Sequence, residues 1–165
     1  KEPPASPFAN APEPAPPTVV SWGARADFPD LPLRVRVARG VRVEPETVAG
    51  AYRRARAALP AVLSARHVAA PQFPDPVTIG VVPADVFCDA KLYDGAPPPS
   101  CKQMLHYFRI RDPILLVADR PELLDGILAQ AVAEISCTYN DVAPCFDRAL
   151  IDAVEATGGK VPAGN

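Results

Sequence analysis

Hydrophobic and polar positions alternate from Leu33 to Val37, with Arg34 and Arg36 between the apolar residues. That period of two predicts a half-buried strand. The period then changes. Val48, Ala51, Tyr52, Ala55, Leu59, Val62 and Leu63 recur at helical spacing behind Pro45, a residue suited to a first helical turn. Pro60 is expected to kink or shorten this helix. Val77, Ile79, Val81 and Val82 belong to a near-continuous apolar run, which suits a central strand. Met104 to Ile110 has mixed faces and reads as an edge strand. Ile114 to Val117 is another unbroken apolar run.

The stretch from Ile114 to Cys137 organises the rest. Asp119 offers a capping carboxylate and Pro121 a pre-set φ for a helix start. Leu123, Leu124, Ile127, Leu128, Ala131, Val132 and Ile135 then line one wide apolar face. Gln130 and Glu134 stand one turn apart at its edge. Pro144 opens a last helix, with Phe146, Ala149, Leu150, Ala153 and Val154 as its apolar side. The predicted order is β-α-β-β-β-α-α: an α+β fold, a small mixed β-sheet with helices packed on one face.

The ends differ in character. Residues 1–18, KEPPASPFANAPEPAPPT, are dominated by Pro and Ala and predict an extended tether outside the fold, or a strap along a partner. Residues 19–157 form the globular domain, entered through an irregular stretch that Trp22 and Phe28 anchor. Residues 158–165 read as a flexible tail.

Charge and composition narrow the classes. The 165 residues are 48% apolar and 22% charged, as in globular proteins, with net charge −2 and a pI near 5.7. This argues against nucleic-acid binding, which leaves a strongly basic footprint. No apolar run reaches the roughly 20 residues of a membrane span. The opening Lys1 suits a processed form or a fragment, and a membrane tether through a preceding segment is one expectation. Arg39, Arg42, Arg53, Arg54 and Arg56 make a local basic cluster, read first as a solvated face and second as an anionic partner surface.

The four cysteines fall into two close pairs, Cys88 with Cys101 and Cys137 with Cys145, around turn-like residues. Two local disulfides are expected, one stapling a hairpin loop and one a helix-to-helix turn, and with them an extracytoplasmic, periplasmic or secreted location. The alternative is four reduced thiols. No phosphate-binding loop, nucleophile elbow, C-x-x-C or haem-attachment motif occurs. His67 and His106 stand apart in sequence; a structural or exposed role is the plainer reading for each, and a catalytic role for His106 needs a carboxylate or tyrosine brought to it by the fold.

The segment VADRPELLDGILAQAVAEISC resembles the strand, acidic turn and helix of zincin-like metallopeptidases, in which an edge strand is followed directly by a helix carrying H-E-x-x-H. The resemblance extends over roughly Leu33 to Tyr139. It puts Gln130 at the first histidine, Ala131 at the glutamate and Glu134 at the second histidine. A zincin holds one zinc between two histidines a turn apart, and the glutamate takes a proton from metal-bound water. Gln130 is a weak neutral ligand, Ala131 cannot act as a base, and the family's downstream ligand has no clear counterpart, with Asp147, Asp152 and Glu155 as candidates. The resemblance therefore implies a peptidase-like frame with no catalytic residues, metal or other cofactor. It implies a binding or structural component of a larger or membrane-anchored assembly, with protein partners. The alternatives are a ligand-binding sensor domain of a membrane receptor and an enzyme of unrelated chemistry built on His106.

Overall fold

The computed structural model describes residues 12–65, 67, 72–109, 113–140, 152 and 155. Its elements are β1 (Ala26–Phe28), β2 (Leu33–Val37), α1 (Pro45–Ala65), β3 (Val77–Val82), β4 (His106–Arg109), β5 (Ile114–Ala118) and α2 (Leu124–Asn140). The five strands form one mixed sheet in the order β1-β2-β3-β5-β4. The inner strands β2, β3 and β5 run parallel, and β1 and β4 pair antiparallel at the two edges.

The pattern of each strand explains its place. Every residue of β3 and β5 is buried, as inner strands covered on both faces require. Leu33, Val35, Val77, Ile79, Val81, Leu115 and Val117 point to one face, where they join the apolar stripes of α1 and α2 in the main core. Both helices therefore lie on that face. The opposite face carries Val82, Leu116 and Ala118, which pack with Trp22, Val86, Phe87 and Leu92 in a second, smaller cluster. Gly80 lies under Trp22: a Cβ there would come 2.7 Å from the end of the indole ring.

Several elements differ from the sequence reading. Residues 19–30 are not wholly irregular, because Ala26–Phe28 pairs with Leu33–Val35 as β1. The described end of the tether is not clear of the fold. Glu13 is ion-paired with Arg36 at 2.6 Å and Arg25 at 2.7 Å, and the Pro12 carbonyl accepts a hydrogen bond from Arg34. Arg34 and Arg36 thus face a strap of the chain's own residues rather than water, and Arg34 is buried. Burial alone would raise the Glu13 pKa, but the hydrogen bonds from Arg36 and Arg25 outweigh it and hold the carboxyl below its usual range.

Pro60 does not shorten α1, which continues to Ala65. Asp119 does not cap α2. Its carboxylate accepts the backbone N–H groups of Arg42 and Val43, tying the end of β5 to the loop before α1. A 3-10 turn at Pro121–Leu123 leads into α2 with no side-chain cap.

The Cys88–Cys101 disulfide forms, with its Cα atoms 5.1 Å apart. It does not close a hairpin, because β5 lies between β3 and β4. It staples instead an excursion of 3-10 turns at Ala84–Cys88, Ala90–Leu92 and Cys101–Gln103. Cys137 is disulfide-bonded too, within α2, while its expected partner Cys145 lies outside the described residues. The apolar side of the last expected helix and the 158–165 tail also lie outside them. The strand that feeds α2 is interior rather than at an edge, since β4 folds outside it.

Candidate functional site

The antiparallel register pairs His106 with Val117 and Phe108 with Leu115. The Ala118 N–H donates to the Leu105 carbonyl, so Leu105, Tyr107 and Arg109 turn their backbone groups toward β5. By the same alternation, His106 and Phe108 turn their N–H and C=O groups away from β5, to an edge that no strand pairs among the described residues. Their side chains share the helix side of the sheet. Phe108 meets Tyr139 of α2 edge-on, with ring centroids 6.5 Å apart. Tyr107 points the other way, edge-on to Tyr93.

His106 reaches α2 at Glu134, with Nε2 and Oε2 2.6 Å apart. An ionised carboxylate only accepts, so Nε2 carries the hydrogen. The His106 side chain is 12% exposed and that of Glu134 54%, which puts the pair at a rim, imidazole inward and carboxylate outward. The hydrogen bond from His106 holds the Glu134 carboxyl below its usual range, against the opposing effect of partial burial, and Gln130 adds a weaker hydrogen bond at 3.4 Å. A cleft of about 310 Å³ opens beside the pair, between β4 and α2. Met104, Tyr107 and Phe108 line its strand side, and Ile135 and Thr138 its helix side.

The three motif positions separate. Glu134 lines the cleft with Gln130 one turn before it, whereas Ala131 is fully buried in the main core. The residues do not fit a metal centre. Gln130 is neutral, Ala131 offers only a methyl, and Glu134 is a lone carboxylate. Among the described residues no three His, Cys, Asp or Glu side chains cluster. Of the downstream candidates, Asp152 and Glu155 are exposed and Asp147 is not among the described residues.

The other candidates serve the frame. His67 is exposed, at φ 62°, where the chain leaves α1. In the basic cluster, Arg53 pairs with Asp30, Arg54 with Asp125 and Arg56 with Asp75, while Arg56 also stacks on Phe73 at 3.9 Å. Most of this cluster is thus neutralised within the fold. The alternation of His106 and Phe108 was visible in the sequence; the contact with Glu134, across 28 residues, depends on β4 lying outside β5.

No protein family, curated protein or solved structure matches this chain.

Proposed function

We propose that this chain is a non-catalytic, extracytoplasmic protein-binding domain on a zincin-like frame, an accessory component of a larger or membrane-anchored assembly. It takes an extended segment of its partner along β4. One observation carries this reading: the outward backbone groups of His106 and Phe108 sit beside the β4–α2 cleft, and among the described residues no strand pairs with that edge. An edge of this kind recruits an added strand through main-chain hydrogen bonds. The zincin-like frame is supported by a helix that follows β5 after one short 3-10 turn and bears Gln130, Ala131 and Glu134 at the motif positions. The extracytoplasmic setting is supported by the Cys88–Cys101 disulfide.

Two measurements test it. Purified protein should hold no stoichiometric zinc and cleave no peptide substrate; zinc together with hydrolysis overturns the non-catalytic reading. Peptides selected from a displayed library of random decapeptides should shift the backbone amide resonances of His106 and Phe108. Selected binders that leave both amides unmoved overturn the strand-addition mode.

The His106–Glu134 pair favours one other reading, a hydrolytic imidazole–carboxylate dyad. Against it, no Ser or Cys lines the cleft among the described residues, and the Thr138 hydroxyl donates to the Glu134 carbonyl. Loss of a hydrolytic activity in His106→Ala would restore the dyad.

A further inference from the structure

The charge at the rim of the cleft specifies the segment that would lie there. His106 and Phe108 have two properties at once. Their backbone groups face away from β5, on an edge that no described strand pairs, and their side chains face α2. A strand added at β4 pairs with these two residues and sends alternate side chains to the same face, about 5 Å from theirs. The side chain opposite His106 therefore arrives beside Glu134. Among the described residues lining the cleft, Glu134 and His106 are the ones that can carry charge. The Glu134 carboxylate is outermost. One oxygen accepts from His106 and the other only a 3.4 Å hydrogen bond from Gln130, so lone pairs remain for an incoming donor. Phe108, half-buried on the same side of the sheet, offers apolar surface to a long methylene stem.

We infer that the β4–α2 cleft selects extended polypeptide segments that present a basic side chain, lysine or arginine, to Glu134. This rests on the strand-addition reading above and adds a charge rule to it. The stem lies along the apolar wall, and the ammonium or guanidinium head meets the carboxylate at the rim.

The test uses the whole chain and three soluble decapeptides in which threonine alternates with lysine, glutamine or glutamate, so that register does not matter. Binding is read by fluorescence anisotropy at low salt, and location by the amide resonances of His106 and Phe108. The lysine peptide should bind about fivefold tighter than the glutamine peptide, the glutamate peptide more weakly still, and Glu134→Gln should erase the difference. Glu134→Lys should turn the preference toward the glutamate peptide, and an unchanged amide spectrum away from the cleft shows that each variant is folded. If the β4 amides shift while the lysine and glutamine peptides bind equally, the charge rule falls and strand addition stands. If a preference for lysine persists in Glu134→Gln, the rule falls as well, because the charge lies elsewhere. If no peptide moves the β4 amides, both readings fall.

Discussion

Glu134 and Gly80 show how single side chains set local behaviour. The folded-state pKa of Glu134 is depressed by His106, so the pair stabilises the fold above the ordinary carboxylate range and loses that contribution as pH falls through the folded value. A carboxyl-detected NMR titration should therefore find Glu134 titrating below ordinary glutamates. His106→Ala should return it toward the ordinary value. A Glu134 titration that is unchanged in His106→Ala would separate the two groups. Gly80 has a steric role. Gly80→Ala pushes a methyl into the Trp22 ring, and Leu116 stands 3.0 Å from the same point. Since overpacking costs about 1 to 3 kcal/mol, the variant should unfold earlier in urea. Its indole emission, from the single tryptophan, should shift to the red as the ring lifts. Unaltered emission would mean that Trp22 is not seated there.

Among the elements, β3, β5, α1 and α2 were legible because their patterns are local and unambiguous. Val77–Val82 is a near-continuous apolar run broken by Thr78 and Gly80, Ile114–Ala118 is a continuous one, and the helical stripes recur over several turns. β1 was not legible. It is three residues long with Asp27 in the middle, and it exists because β2 offers it an edge. The excursion between β3 and β4 misled for a related reason. A close cysteine pair between two strands suggests a hairpin, but sequence spacing does not reveal that β5 later inserts between them. The disulfide instead holds an excursion whose Val86, Phe87 and Leu92 cover the sheet. Replacing Cys88 and Cys101 together with serine should lower stability by about 3 kcal/mol, as loop closure of this length predicts. Protease cleavage should then concentrate in residues 89–100. Cleavage elsewhere with unchanged stability would show that the staple is dispensable.

For the whole molecule, the largest departure from the sequence reading is the proline-rich end. Composition marks residues 12–18 as unable to build a core, and they do not build one; they are tied by polar contacts to Arg25, Arg34, Arg36 and Trp22. Glu13 is 13% exposed between two arginines, a pairing set by the folded sheet and not by neighbours in sequence. Because the Glu13 carboxyl is held low, its contribution is present above the ordinary carboxylate range and is lost as pH falls through the folded value. Glu13→Gln should cost about 1 kcal/mol at neutral pH, and its stability should fall less steeply on acidification than that of the parent. Equal stability of the two proteins at neutral pH would show that the ionic latch contributes nothing. The latch lies at the β1–β2 side of the sheet on its helix-free face, whereas the cleft lies at β4 on the helix face. These are diagonal corners of one body. Anything that held the chain at the Glu13 corner would therefore leave the β4–α2 cleft, at the opposite corner, uncovered.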